Sequence, residues 1–253
     1  MANAGRRRFL VGAGGGMLAA IAPEALLRLG RAAAATESAP ALPREVGGVA
    51  IPDSAVARAA AAMAKEACPE HLYNHCLRTY LFGALVARRE KIAYDAEIIF
   101  TAAALHDLGL VERYSTPRQP FEMDGADAAK AFLEKHGVAG PRAEIAWNAI
   151  AMHTSPLSGH QQPQVQLVGG GAGVDVYGSG IRTLPADSVQ AILAAYPRRG
   201  FREGFPQLLT ELCQRKPLAQ VGTWTDAYCR AHTHGVAFPE IDKGMDRFPF
   251  PDA

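Results

Sequence analysis

An all-helical body is what this sequence predicts, on three observations. From Pro52 onward, apolar residues recur at the three- and four-residue spacing of helix faces. Ser, Asp, Pro and Gly stand where helices start and stop. No segment alternates apolar and polar residues over the length that a strand needs. With 253 residues, 49% of them hydrophobic and 20% charged, the chain can bury an ordinary core in a single compact domain.

The elements follow in order. Pro52-Asp53-Ser54 starts a first, alanine-rich helix that reaches Cys68. Pro69-Glu70 opens the second, through about Arg89, with Leu72, Cys76, Tyr80, Ala84 and Val86 as its apolar stripe. Asp95 begins a third, whose buried face is Ile98, Ile99, Ala102, Ala103 and Leu105 and which Gly109 is placed to stop. A fourth helix spans 124–136 and ends at Gly137; a fifth spans 141–152, with proline just inside its start. Residues 163–176 form a sixth, unusually rich in small residues, and later helices cover about 187–195, 202–215 and 223–231. Neither an internal repeat nor a second domain is visible. The run Gly169-Gly170-Gly171-Ala172-Gly173 fails the dinucleotide pattern, because Val174 and Val176 stand where the third glycine would fall. It also lacks the Lys-Ser/Thr ending of a phosphate loop, so close packing of this helix on its neighbours accounts for it.

The ends read differently from the body. Arg6-Arg7-Arg8-Phe9-Leu10 precedes a run at 11–22 too weak and short to span a bilayer, and small residues at 32–35 offer a cleavage site. This start resembles a twin-arginine signal. Residues 1–35 are therefore the expected signal peptide, 36–52 a linker rich in Ala, Pro and Gly, 53–240 the domain, and 241–253 a tail. The resemblance implies the twin-arginine machinery as a transport partner, a periplasmic or otherwise exported protein, and no stable membrane insertion afterwards. The net charge is +1, and five arginines against Glu24 give residues 1–35 a charge of +4, which leaves −3 on the rest. A mildly acidic body with no basic stripe gives no electrostatic reason to expect nucleic acid. Cys68, Cys76, Cys213 and Cys229 show no C-x-x-C spacing. They either pair after export or serve as small buried hydrophobes.

The chemistry sits in His75, in the adjacent pair His106-Asp107, and in Asp175. Imidazole nitrogen with carboxylate oxygen suits zinc, iron(II) or manganese. Adjacent residues near a helix end point about 100° apart, so both reach one ion only in a crevice between helices. Two histidines and two carboxylates leave a coordination position open, the mark of a catalytic rather than structural site. His106-Asp107 also ends an apolar helix, and polar groups carried into a buried region need partners.

His75, His106-Asp107 and Asp175 on separate helices resemble the HD superfamily of helical metalloenzymes. Tyr73-Asn74-His75-Cys76-Leu77-Arg78, Ala103 to Gly109, Phe121-Glu122 with Gly125-Ala126, and Ala149 to Thr154 resemble its cyanamide hydratase-like members. Ala195-Tyr196-Pro197-Arg198 and Lys216-Pro217 fit as well. The resemblance runs from about residue 53 to 240 and implies an HD-type domain with one divalent ion, zinc or iron(II), that hydrates a nitrile-like carbon. An export signal departs from that group and puts cyanamide itself in question as the substrate.

Three further residues are candidates for catalysis. His153 resembles the group's third histidine and suits proton transfer or substrate contact. Glu122, in what reads as a polar connection, suits orientation of water or service as a base. Asn74, beside His75, suits a hydrogen bond to a ligand. His71 is left out because Leu72 stands where the His-Glu-x-x-His signature needs glutamate. The expected function is addition of metal-bound hydroxide to a small electrophile such as cyanamide, a nitrile or an amide. The alternatives are an HD-type phosphohydrolase, for which Arg78, Arg113 and Arg118 are the nearby cations, and a diiron oxygenase if His160 joins His153 in a second metal site.

Overall fold

The computed structural model describes residues 42–160 and 162–240. Among the described residues lie nine α-helices: α1 (Ala55–Ala67), α2 (Glu70–Glu90), α3 (Ala96–Leu105), α4 (Phe121–Lys135), α5 (Pro141–Ala151), α6 (Gln166–Tyr177), α7 (Ala186–Ala195), α8 (Phe201–Arg215) and α9 (Asp226–His232). The all-α expectation holds. The expected signal segment 1–35 and the tail 241–253 lie outside the described residues.

Two helices form the centre. Pro69 and Glu70 open α2, which buries residues around most of its circumference, from Leu72 through Tyr80 and Leu85 to Ala87. Ile98 to Leu105 of α3 are all buried, and a helix that is apolar all round belongs in a core. Helices α1, α2 and α5 pack on α3, while α6 lies along α2. Ser54 caps α1 by accepting from the Ala57 amide at 3.1 Å. Asp95 caps α3 at Ile98 and also receives Arg142 at 2.8 Å, which joins the start of α5 to the start of α3.

The glycine run of α6 serves packing. A Cβ on Gly171 would stand 1.9 Å from the carbonyl oxygen of Thr79 on α2. Only a residue without a side chain lets the two backbones approach that closely. Gly109 has a similar task and not the one expected of it. Helix α3 already ends at Leu105, and Gly109 lies in a short 3-10 turn, Leu108–Leu110. A Cβ there would stand 2.0 Å from the Phe121 carbonyl oxygen.

Two other expectations are corrected and one left open is resolved. Helix α4 starts at Phe121 rather than at residue 124, because buried Phe121 anchors its first turn, so Glu122 is helical rather than in a connection. Part of the expected linker is folded: Glu45–Val46 pairs antiparallel with Val49–Ala50 around Gly47-Gly48, both at positive φ. This hairpin buries Val46, Val49 and Ile51, and the Tyr80 hydroxyl donates to the Ala50 carbonyl at 3.0 Å. Two-residue strands are too short to show alternation in a sequence. The cysteines divide between the two readings: Cys213–Cys229 is a disulfide joining α8 to α9, whereas Cys68 and Cys76 are buried thiols. Closing a loop of that length contributes about 3 kcal/mol.

The contact between α2 and α6 can be probed within one glycine run. Gly171→Ala is expected to destabilise the protein by about 2–3 kcal/mol through overpacking. Gly170→Ala, whose Cβ would meet nothing closer than Val86 at 3.9 Å, is expected to be neutral or stabilising by up to about 1 kcal/mol. Denaturant midpoints measure both, and equal shifts would contradict the packing account.

Candidate metal centre

Three chain segments deliver the site. His75 projects from the middle of α2. His106 and Asp107 occupy the break where α3 stops and the 3-10 turn begins, so the two neighbours turn toward one point despite their angular offset. His153 follows α5 by two residues, its amide bonded to the Ile150 carbonyl. His75, His106 and Asp107 are buried, and one ligand atom from each lies within 4.8 Å of the others. His75 Nε2 and His106 Nε2 stand 3.4 and 3.3 Å from Asp107 Oδ2. His153 Nε2 is 3.8 Å from Asp107 Oδ1.

The outer nitrogens fix the tautomers. His106 Nδ1 donates to the Ala103 carbonyl at 2.8 Å, and His153 Nδ1 to the Ile150 carbonyl at 2.7 Å. Carbonyl oxygens only accept, so each ring keeps its proton on Nδ1 and presents a lone pair on Nε2. Burial, with the neighbouring His75 ring acting in the same direction, pushes His106 down to about 3. Burial, then His106, pushes His153 down to about 4. Both rings are neutral at ordinary pH. Burial raises the Asp107 carboxyl against the pull of His75 and His153.

His106 Nε2 and Asp107 Oδ2 have no hydrogen-bond partner among the described residues. A buried polar atom left unpaired costs about 1–3 kcal/mol. Here acceptors converge with no donor between them, an arrangement that a cation satisfies. Neutral imidazoles and a carboxylate are donors that divalent zinc, iron or manganese accepts.

Asp175, the fourth ligand expected from the sequence, stands behind His75 instead. Its Oδ2 accepts the His75 Nδ1 hydrogen at 2.7 Å. Arg78 grips both oxygens, Nε to Oδ1 and Nη2 to Oδ2, each at 2.8 Å, and Arg198 adds 2.7 Å to Oδ1. Burial alone would raise this carboxyl; the bonds from His75 and Arg78 outweigh it and hold the group well below the usual range. With its lone pairs so occupied, Asp175 orients His75 rather than joining the converging three. Sequence reasoning missed Arg78 and Arg198 as positioning residues. The signal for Arg78 was its place three residues after His75, on the same helix face.

Of the catalytic candidates, His153 lines the site's cavity. This cavity, of about 190 Å³, is lined by the three converging residues together with Phe121, Thr154, Ala172, Gly173 and Val176, among others. Glu122 is buried behind Thr154, whose hydroxyl donates to Glu122 Oε1 at 2.8 Å. Burial raises its carboxyl above the ordinary range. Asn74 is turned away from the cavity, because its amide donates to the Pro197 carbonyl at 3.2 Å, beside the Arg78 contacts to Tyr196 and Pro197. Lys216 is buried on Asp124 and the Gln119 carbonyl and braces the start of α4. His160 is exposed, and His75, His106 and Asp107 form the one such metal-competent group among the described residues.

A comparison with curated proteins finds no match. Residues 72–191, however, match the family model described as HD domain, over a span that holds His75, His106, Asp107, His153 and Asp175. With the all-α fold and the buried His-His-Asp cluster, this match makes the chain similar to the HD domain over residues 72–191.

Proposed function

We propose that this protein is a metal-dependent hydratase or hydrolase that adds water to a small neutral electrophile, a cyanamide, nitrile or amide carbon. The observation that carries this reading is the cavity wall: around the converging acceptors it is apolar or uncharged, with no lysine or arginine among its lining residues. Held by His75, His106 and Asp107, a divalent ion supplies Lewis-acid polarisation and lowers the pKa of adjacent water toward about 7.

The chain supplies the rest. His153, fixed through Nδ1 on Ile150, offers Nε2 to take a proton from water in the cavity, and Asp107 at 3.8 Å favours the resulting imidazolium. With a nitrile or cyanamide, net addition of water puts oxygen on the substrate carbon and both hydrogens on its nitrogen, giving an amide or urea. With an amide, the same addition is followed by C–N cleavage, the proton from His153 leaving on the amine, so no further reactant is needed. Thr154 donates to Glu122 and lines the cavity, which leaves its oxygen as an acceptor for a substrate N–H. Phe121 beside His153, at 5.6 Å between ring centres, limits water around the reacting groups.

Phosphomonoester hydrolysis is the reading that similarity to the HD domain favours. It needs cations on the phosphate. Arg78 is fully buried against Asp175, Arg113 is exposed and paired with Glu66, and Arg118 is exposed. The metal-loaded protein, offered cyanamide, small nitriles, amides and phosphomonoesters, is expected to turn over the first three classes. His106→Ala should abolish turnover, and His153→Ala should lower kcat about 10²–10⁴-fold with metal retained. Phosphate release as the dominant activity would overturn the proposal.

Export by the twin-arginine route is part of the same proposal. The Cys213–Cys229 disulfide supports an oxidising compartment, and among the described residues no helix is long and apolar enough to cross a membrane. Replacing Arg6 and Arg7 by lysine is expected to retain the protein in the cytoplasmic fraction; unchanged export would contradict this route.

A further inference from the structure

The metal cavity does not end at its catalytic groups. It adjoins a second hollow of about 220 Å³ lined by Val176, Tyr177, Phe205, Leu209, Trp224, Thr225 and Tyr228. Val176, Tyr177, Phe205 and Trp224 line both, so aromatic residues of the second hollow also face the metal cavity. No lysine, arginine, aspartate or glutamate lines the second hollow.

Its aromatic rim is unusual for a surface. Only four large hydrophobic side chains are exposed among the described residues, and two of them, Tyr177 at 64% and Trp224 at 39%, meet edge-on here with ring centres 6.4 Å apart. Leaving such surface in water forfeits burial that a ligand would restore. The wall is also braced. Thr223 and Thr225 hydroxyls are bonded to each other and to Gln220, on either side of Trp224. Tyr228 donates its hydroxyl to the Pro206 carbonyl, and Cys213–Cys229 ties the segment to α8.

We propose that this hollow is a subsite for a flat, uncharged, apolar substituent, so that an aryl- or alkyl-substituted nitrile, cyanamide or amide is preferred over cyanamide itself. The identity of the reacting group rests on the hydration reading above; the subsite stands on its own walls. The substituent lies against Tyr177 and Trp224 over Phe205, where offset and edge-to-face ring contacts are available. A carboxylate or phosphate tail finds no partner there.

Two tryptophans occur in the chain, and Trp147 is bonded to Asp127 away from the cavity, so Trp147→Phe makes Trp224 a sole fluorescent reporter. Titration with benzamide is expected to give a saturable change, with binding at least about tenfold tighter than acetamide. Tyr177→Ala, at an exposed position, should erase most of that preference. Calorimetry on the unmutated protein repeats the benzamide and acetamide comparison if the reporter variant does not fold. Equal affinity for the two amides, or a Trp224 signal that follows protein concentration instead of ligand, overturns the subsite. Benzamide binding that survives in His106→Ala, without turnover of any nitrile or amide by the parent protein, keeps the subsite and sinks the hydration reading. Turnover of cyanamide with no preference for benzamide does the reverse.

Discussion

The buried carboxylate of Asp175 is the constraint on which the site depends. It holds His75 by one oxygen and is itself held by the fork of Arg78 and by Arg198. Arg78 continues to the Tyr196 and Pro197 carbonyls, where Asn74 also bonds, so one knot joins α2, α6 and the turn after α7. Removing one partner of such a buried ion pair typically costs about 3–5 kcal/mol, because the other charge is left without compensation. The same knot sets which nitrogen of His75 faces the cavity, which makes it a constraint on chemistry as well as stability.

Opposite this knot the architecture changes from pairing to exposure of lone pairs. Carbonyl oxygens one turn back, at Ala103 and Ile150, pin the remaining imidazoles so that their unprotonated nitrogens look inward with Asp107. A fold that buries several acceptors without a donor has left room for a positive charge. Close packing makes the convergence possible. Glycines at 83, 109, 125 and 171 let backbone touch backbone around the site, and at Gly125 a side chain would stand 2.6 Å from the His106 carbonyl oxygen. The reactive end is thus rigid because its surroundings are packed through main chain rather than through long side chains.

Much of this was legible in the sequence, and the failures share a cause. Helix α2 announced itself through Leu72, Cys76, Tyr80 and Ala84, all of which are buried as the periodicity required. His75, His106 and Asp107 were recoverable from residue type and motif, and they do converge. What spacing could not supply was direction. Asp175 lies on the expected helix but faces the far nitrogen of His75, and Asn74 sits beside a ligand yet turns to Pro197. Local pattern also missed what tertiary contacts impose. Phe121 extends α4 by one turn because its ring is buried, and the hairpin at Gly47-Gly48 exists because the body covers Val46 and Val49. The disulfide was invisible for the same reason, since pairing of Cys213 with Cys229 follows from how α9 folds back on α8.

The central claim is that His75, His106 and Asp107 hold one divalent ion while Asp175 acts through His75. Metal content and affinity of the parent protein, Asp107→Asn and Asp175→Asn test it directly. One ion per chain is predicted for the parent, none retained by Asp107→Asn, and binding weakened about 10–100-fold but still stoichiometric at saturation for Asp175→Asn. Equal loss in both variants, or an ion count unaffected by Asp107→Asn, would contradict the account.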